Sequence, residues 1–247
     1  MPRPDRPLRR FYVTPETLDT DPIVFGPREA HHIATVLRLS AGTPVAVFDG
    51  SREAEAELTA VDQARVSARL IGAPRASRRP VDVALLQGVA RAPRMDLVVR
   101  MGTEVGLAAI HPVLTARSLS APLPARLARW RRIATEAARQ CGRGDVPEIP
   151  PPAGLEATLH ALGPQDLFLV LWEGAVRPIG EVIAGTSFAT AAVLVGPEGG
   201  LTEEEVATAH AAGGRVVSLG PLILRTETAG LVAAAMVLYE RLLRPRG

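Results

Sequence analysis

The chain has 247 residues, 47% of them hydrophobic, and a formal net charge of +2. This composition is typical of a globular protein with one large or two modest domains, and it excludes a highly charged disordered chain. No apolar run approaches the roughly 20 residues that a membrane helix requires. The single cysteine, Cys141, excludes an internal disulfide. We therefore expect a cytoplasmic protein, in a reducing compartment, with no membrane partner.

The first part of the chain has the composition of short strands. Strand-like segments lie at 11–13, 44–48, 54–58 and 65–71. One helix is predicted over Glu29–Leu39, with an apolar face made of Ala30, Ile33, Val36 and Leu37. The stretch Ala73–Pro80 is rich in proline and arginine, which is typical of a linker. We predict a domain of residues 1–74, a small β-barrel with an embedded helix.

Beyond residue 75 strands and helices alternate. Strands are predicted at 81–87, 109–114, 167–172, 191–195 and 216–219, and helices at 96–106, 124–141, 203–212 and 226–243. The first of these helices has the predicted apolar face Leu97, Val98, Met101 and Val105. The second has Leu127, Trp130, Ile133, Ala134, Ala137 and Cys141, so Cys141 is expected to be packed, and Gly142 is the predicted cap. The alternation predicts an α/β domain with a largely parallel sheet over residues 75–247.

One predicted strand leads directly into the glycine-rich segment 196–200. Thr202 and Glu205 then form a capping-box pattern that predicts a helix start. Ligands of open α/β sheets bind at the carboxyl ends of the strands, where this segment lies. The nucleotide patterns Gly-x-Gly-x-x-Gly and Gly-Lys-Ser/Thr are absent, and Glu203, Glu204 and Glu205 would repel phosphate. The pattern favours a neutral or cationic ligand such as S-adenosyl-L-methionine, and a tight structural turn is the alternative.

A second strand end leads into an apolar segment, 219–224. Exposed loops are rarely so apolar, so Leu222, Ile223 and Leu224 require a partner. That partner is the protein core, an adenine ring or a neighbouring subunit. Arg225 follows, with Thr226 as a predicted helix cap. Arg225 and the nearby Glu227 form either a structural ion pair or part of a catalytic site.

Several motifs occur together in one order. Arg10–Val13, His31–Arg38 and Phe48–Gly50 come first, then Arg94-Met95-Asp96, Thr103–Gly106, Gln140–Arg143, Gly196–Gly200 and Leu219–Ala229. This set resembles the ribosomal RNA small subunit methyltransferase E family of the SPOUT superfamily. The resemblance implies a PUA-like RNA-binding domain before a trefoil-knotted α/β methyltransferase domain, and a homodimer.

The family's activity is methylation of N3 of a uridine near the decoding centre of 16S rRNA, with S-adenosyl-L-methionine as donor. Relatives often carry Lys near the Arg94 motif, where this chain has Arg91, Ala92 and Pro93. Two alternatives remain at this point. One is a SPOUT methyltransferase for another RNA nucleotide, and the other is a non-catalytic RNA-binding assembly factor.

The site residues expected from the motifs and the resemblance fall into three sets. The catalytic set is Arg225, Glu227 and Glu198. The cofactor-binding set is Leu171, Trp172, Glu173, Val195, Gly196, Pro197, Gly199, Gly200, Leu219, Gly220, Leu222 and Leu224. The RNA-binding set is Arg9, Arg10, His31, Arg38, Arg91, Arg94, Arg139 and Arg143, drawn mostly from the basic clusters 3–10, 91–100 and 126–143. A further cluster lies at 75–79; a solvated surface is the alternative for each cluster.

No metal site is expected. Adjacent histidines on a helix, such as His31 and His32, point about 100° apart, and no set of carboxylates surrounds them in the sequence.

Overall fold

The computed structural model describes residues 8–62, 65–76, 81–118 and 124–243. Arg3 and Arg6 of the first basic cluster, and Arg78 and Arg79 of the predicted linker, lie outside these ranges. The chain forms two compact units, one of Met1–Arg78 with Thr135–Val146 and one of Arg79–Ala134 with Pro147–Gly247. The units are therefore not two successive stretches of the chain. The domain boundaries predicted at residues 74 and 75 stay a prediction.

The first unit contains a six-stranded sheet. Its strands are β1 Arg9–Tyr12, β2 Ile23–Val24, β3 Pro44–Phe48, β4 Arg52–Val61, β5 Val66–Leu70 and β6 Arg75–Ala76. They are ordered β1-β3-β4-β5-β2, with β6 paired to β4. Along β4 the buried residues Ala54, Ala56 and Leu58 alternate with more accessible ones, because successive strand residues point to opposite faces. The buried face joins Phe11, Ile33 and other apolar side chains in one core.

Two short helices, α1 Pro15–Leu18 and α2 Pro27–His31, interrupt this sheet in sequence. The predicted α-helix over 29–39 is wrong in part, since α2 continues as a π-helical turn, His32–Val36. Hydrogen bonds in a π-helix span five residues, so the 3.6-residue spacing no longer keeps one face together. Ile33 is buried as predicted, whereas Val36 is 61% exposed.

The second unit contains a six-stranded parallel sheet, which confirms the predicted α/β class. Its strands are β7 Asp82–Gly88, β8 Ala109–Leu114, β9 Ala153–Gly154, β10 Leu167–Leu171, β11 Thr190–Val195 and β12 Arg215–Val217. Their order is β12-β10-β11-β7-β8-β9, and each pairing is parallel. The central strands β10 and β11 are continuous apolar runs because both of their faces are buried.

The helices are α3 Ala92–Val105, α4 Pro124–Cys141, α5 Leu155–Leu162, α6 Ile179–Ala184, α7 Glu203–Ala211 and α8 Thr226–Leu243. Helices α4 and α8 have the predicted bounds. The predicted capping box opens α7, since the Thr202 hydroxyl accepts from the Glu205 N–H at 3.2 Å and the Glu205 carboxylate accepts from the Thr202 N–H at 2.9 Å. Gly142 follows α4 with a φ of +81°, as expected of a cap. None of the helices in the described ranges is long and apolar enough to span a membrane.

The predicted apolar face of α3 is wrong in part, since Val98 is buried and Leu97 is half-buried. The buried residues are Met95, Val98, Val99, Gly102 and Thr103, whereas Met101 and Val105 are more than a third exposed. Gly102 lies on this buried face. A Cβ there would lie 2.7 Å from Leu107 Cδ1 and 3.2 Å from Ile110 Cδ1, so the position is closely packed.

Cys141 is exposed, so the prediction that it packs into the apolar face of α4 is wrong. The residue lies at the last position of the helix. The buried face of α4 consists of Trp130, Ala134, Ala137 and Ala138.

Candidate active site

A cavity of about 610 Å³ lies where strands β10, β11 and β12 end. Parallel strands have their carboxyl ends at one edge of the sheet, and ligands of such sheets bind there. Three segments form the wall: residues 171–173, the glycine loop 196–200 and the apolar loop 218–225. The predicted cofactor residues that line the cavity are Leu171, Trp172, Glu173, Val195, Gly196, Pro197, Gly200, Leu219, Gly220, Leu222 and Leu224. The predicted catalytic residues Arg225, Glu227 and Glu198 line it as well.

The glycine loop is folded tightly against itself. A Cβ at Gly196 would lie 2.6 Å from the carbonyl carbon of Gly200, and Gly200 has a φ of +73°. The strand β7 also approaches closely, because a Cβ at Gly88 would lie 2.5 Å from the Pro197 nitrogen. Side chains at these positions would displace the loop, so its backbone itself forms the cavity wall.

Gly199 is the predicted cofactor residue that is not part of the cavity lining. Its carbonyl accepts a hydrogen bond from the Arg117 guanidinium at 2.6 Å. The glycine allows this approach, since a Cβ at this position would lie 3.2 Å from Arg117 Cβ. Arg117 therefore supports the backbone of the glycine loop.

The apolar loop is not part of the core. Leu222 and Ile223 are 77% and 87% exposed, whereas Leu224 is half-buried. Gly220 turns the chain at the start of this loop with a φ of +115°. Burial in the core is thus excluded for Leu222 and Ile223. The alternatives that remain for them are contact with an adenine ring and contact with a neighbouring subunit.

A buried chain of hydrogen bonds joins the two loops. The Thr226 hydroxyl donates to the Gly196 carbonyl at 2.5 Å and accepts from the Gln87 amide at 2.8 Å. The prediction that Thr226 caps α8 is wrong, because Thr226 is already the first residue of the helix. The cap position is Arg225, whose carbonyl accepts hydrogen bonds from the Thr228 and Ala229 N–H groups. Gln87 was missed by sequence reasoning, although a glutamine within the otherwise apolar strand β7 is a signal of a buried polar contact.

Arg94 lies in the first turn of α3 and in the wall of the cavity. Its Nη1 donates to Glu198 Oε1 at 2.5 Å, and its Nε lies 3.5 Å from Glu227 Oε1. Glu198 Oε1 also accepts from the Arg91 N–H at 3.0 Å. Burial alone would raise the pKa of Glu198, but these hydrogen bonds and the Arg94 charge hold that pKa below its usual value. Glu198 is therefore ionised and paired.

The charged side chains in the cavity wall are Glu173, Glu198, Glu227, Arg94 and Arg225. Three carboxylates against two guanidiniums favour a cationic ligand over one that carries phosphates. Glu227 is 8% exposed, and its Oε2 has no hydrogen-bond partner among the described residues. The cavity volume is in the range of small-molecule sites, roughly 300–1,000 Å³.

The residues predicted to bind RNA divide into two groups. Arg9, His31, Arg38 and Arg91 are exposed. The others carry ion pairs: Arg10 with Glu53, Arg94 with Glu198, Arg139 with Glu29 and Arg143 with Asp145. A guanidinium that already binds a carboxylate has fewer donors left for phosphate. The RNA-binding role of each residue stays a prediction.

Comparison with known proteins gives one consistent result. Residues 77–238 match a family model described as an RNA methyltransferase domain, and residues 25–71 match an RNA methyltransferase PUA domain. The ribosomal RNA small subunit methyltransferase E of Bacillus subtilis is 32% identical, with 86% of this chain and 88% of that protein covered. The protein of the same name from Synechocystis is 33% identical over 92% of this chain and 76% of that protein.

Solved structures agree with these relatives. The structure of a ribosomal RNA small subunit methyltransferase E from Neisseria gonorrhoeae, bound to S-adenosyl methionine, is similar with a TM-score of 0.81 and 31% identity. The match covers 92% of this chain and 95% of that one. The fold prediction of an α/β methyltransferase domain with a PUA-like domain is thereby confirmed.

Proposed function

Because the chain belongs to the ribosomal RNA small subunit methyltransferase E family, we propose that it methylates N3 of one uridine in 16S rRNA near the decoding centre. The enzyme class, the RNA substrate and the donor S-adenosyl-L-methionine follow from the family. The choice of uridine and of N3 comes from the resemblance of the motifs. The observation that carries the proposal is the acidic cavity between the glycine loop and the apolar loop.

The residues of the cavity fit this donor. S-adenosylmethionine, when bound, supplies an electrophilic methyl group on a positively charged sulfonium. Apolar side chains such as Leu171 and Leu224 suit an adenine ring, and the glycine-loop backbone offers hydrogen-bonding groups. The surplus of carboxylates suits the sulfonium charge. The helix after the glycine loop opens with Glu203, Glu204 and Glu205, which would disfavour a phosphate-bearing ligand.

Arg225, Glu227 and Glu198 are the proposed residues of the uridine pocket. They share the cavity wall with the proposed donor-binding loops, so a base held by them would be close to the donor. Methylation at N3 also requires the loss of the N3 proton. A carboxylate within hydrogen-bond reach of N3 can accept that proton.

The remaining parts of the proposal concern RNA, assembly and location. Arg9, His31, Arg38 and Arg91 are exposed and able to bind RNA phosphates. A homodimer is supported by exposed apolar side chains on two helices that pack together, Met101 and Val105 on α3 and Val232, Met236 and Tyr239 on α8. A cytoplasmic location is supported by the ribosomal RNA named as the substrate of the relatives. The trefoil knot implied by the resemblance stays a prediction.

The test is transfer of labelled methyl from S-adenosylmethionine to small-subunit particles and to bare 16S RNA, followed by identification of the product nucleoside. We expect 3-methyluridine at one site. A different methylated nucleoside would support an enzyme for another RNA position. A chain that binds no S-adenosylmethionine would support the non-catalytic alternative.

Arg225→Ala tests the proposed uridine pocket. Arg225 is exposed at the cavity wall, so its loss removes a positive charge without opening the core. We expect methyl transfer to fall at least about a hundredfold, as for loss of a key polar contact to a transition state. S-adenosylmethionine affinity, measured by calorimetry, should stay the same. The control is Arg177→Ala, an exposed arginine that is not part of the cavity wall; unchanged transfer by the Arg225 variant contradicts the assignment.

A further inference from the structure

Glu227 combines three features that are rarely found together in a carboxylate. It lines the cavity, it is 8% exposed, and its buried Oε2 has no hydrogen-bond partner among the described residues. A buried polar group left unpaired costs about 1–3 kcal/mol. Native proteins retain such groups mainly where a ligand or water completes the hydrogen bond. The unpaired oxygen therefore indicates a position for a donor group of a ligand.

The other oxygen of Glu227 and the neighbouring carboxylate are held by one residue. Arg94 Nε lies 3.5 Å from Glu227 Oε1, and Arg94 Nη1 donates to Glu198 Oε1 at 2.5 Å. The guanidinium lies between two acidic groups that would otherwise repel each other. Its contact with Oε1 leaves Oε2 as the oxygen of Glu227 without a hydrogen-bond partner among the described residues. The motifs predict Arg94 to be an RNA ligand, but in the structure its guanidinium contacts Glu198 and Glu227 in the cavity wall.

We propose that Glu227 Oε2 accepts the N3–H of the target uracil, and that Arg94 is the positioning residue that orients this carboxylate. The inference rests on the proposed function and deepens it. Uracil presents N3–H as a donor between two carbonyl oxygens. Cytosine presents an unprotonated N3, whose lone pair a carboxylate repels. Glu227 thus selects uracil and serves as the proton acceptor.

The chemical step balances with this assignment. The N3–H bond breaks and an N3–C bond forms, while the sulfur of the donor keeps the electron pair of the broken S–C bond. The proton passes from N3 to Glu227 Oε2 and then to solvent. Neither an oxidant nor a metal is needed. Arg225, exposed at the same wall, remains available to the carbonyl oxygens of the base.

The first experiment measures equilibrium binding of 16S RNA with uridine or cytidine at the methylated position. We expect the wild-type chain to prefer uridine by about tenfold, the scale of one good base contact. Glu227→Gln should lose the preference, because a carboxamide can either accept from uracil or donate to cytosine. Glu227→Asp keeps the carboxylate and should keep the preference. Glu156→Gln, an exposed change on α5 that is not part of the cavity wall, is the matched control.

The second experiment measures kcat and the two KM values, one for the donor and one for the RNA. Glu227→Gln should lower kcat by about a hundredfold or more, the usual contribution of a general base, with donor affinity unchanged in calorimetry. Arg94→Gln should lower kcat with little change in either KM. Arg94→Lys should restore part of kcat, because lysine keeps the positive charge. The restoration should be incomplete, because lysine lacks the fork of donors that arginine offers.

The outcomes separate the inference from the proposed function. If the wild type forms 3-methyluridine while Glu227→Gln keeps the rate and the uridine preference, the inference is overturned and the function stands. If Arg94→Gln weakens RNA binding but leaves kcat unchanged, Arg94 is a phosphate ligand and its positioning role is overturned. If the wild type forms no 3-methyluridine, the proposed function fails and the inference fails with it.

Discussion

Thr226 is the residue on which the two loops of the cavity depend. Its hydroxyl satisfies both the Gly196 carbonyl and the Gln87 amide in a buried environment. Thr226→Val keeps the shape but removes both bonds, so we expect the free energy of unfolding to fall by about 1–3 kcal/mol. S-adenosylmethionine affinity should fall as well, because Gly196 is part of the cavity wall.

Thr226→Ser is the control for this prediction, since it restores the hydroxyl. Urea denaturation gives the stability and calorimetry gives the affinity. A valine variant with the donor affinity of the wild type would show that the glycine loop keeps its conformation without this link.

Arg38 is the one described non-glycine residue with a positive φ, at +51°. This conformation costs an L-residue about 1–2 kcal/mol, and the exposed side chain gains no burial in return. We expect Arg38→Gly to raise the free energy of unfolding by about 1 kcal/mol. If Arg38 neutralises one RNA phosphate, the same variant should reduce the log–log salt slope of RNA binding by about one unit.

Arg38→Gln separates the two effects, because it removes the charge and keeps the backbone strain. It should reduce the salt slope by the same amount without the gain in stability. A salt slope unchanged in both variants would remove Arg38 from the RNA-binding surface.

The roles of single arginines could be predicted only in part. Clusters of arginines in the sequence identify where positive charge is concentrated. They do not identify which carboxylate the folded chain places next to each arginine. Glu29 lies more than a hundred positions before Arg139, and Glu198 lies as far after Arg94. The unpaired oxygen of Glu227 could not be predicted either, because it depends on packing between α3 and α8.

Among the elements, strands and glycine-marked loops were predicted best. The central parallel strands β10 and β11 are largely apolar, and glycine is required where the backbone turns or packs closely, so both leave a local signal. The apolar face of α3 was predicted wrongly in part because its buried face includes Gly102 and Thr103, which carry no hydrophobic signal. The π-helical turn after α2 was missed because the spacing of Ala30, Ile33, Val36 and Leu37 also fits an α-helix.

The turn between β3 and β4 predicts a pH-dependent stability. Asp49 is 6% exposed and accepts hydrogen bonds from the Ser51 and Arg52 N–H groups at 2.9 and 2.7 Å. Burial alone would raise the pKa of Asp49, but these bonds and the Arg52 guanidinium lower it overall. A lowered pKa in the folded state means that Asp49 stabilises the fold above its unfolded pKa of about 3.9. That contribution is lost as the pH falls through the folded-state pKa.

Asp49→Asn should therefore lower the free energy of unfolding at pH 7 by about 1–3 kcal/mol. The difference from the wild type should shrink once the pH falls below about 4. Urea midpoints at several pH values give the comparison, with the exposed strand residue Glu55→Gln as control. A difference that stays constant down to pH 2 would contradict the assigned role of the ionised carboxylate.

At the scale of the whole molecule, the proposed donor site lies entirely within the second unit. Its three wall segments follow three strands of one sheet, and the helices α3 and α8 complete it. The same two helices also carry the exposed apolar residues of the second unit that support a homodimer. In our proposal Glu227 binds the base and Arg94 orients Glu227, and both residues lie in the first turns of these helices. Assembly and catalysis would therefore depend on the same pair of helices.

This arrangement predicts that the homodimer can be disrupted from α8. Met236 and Tyr239 are 36% and 63% exposed on that helix, and α3, which packs against α8, exposes Met101 and Val105. Glutamates at both α8 positions would place unpaired charges in the apolar contact, at a cost of several kcal/mol. We expect sedimentation to give twice the chain mass for the wild type and one chain mass for the double variant. Val176→Glu, at a 94% exposed position outside both helices, should remain dimeric. A dimeric double variant would move the interface elsewhere, and a monomeric wild type would overturn the homodimer itself.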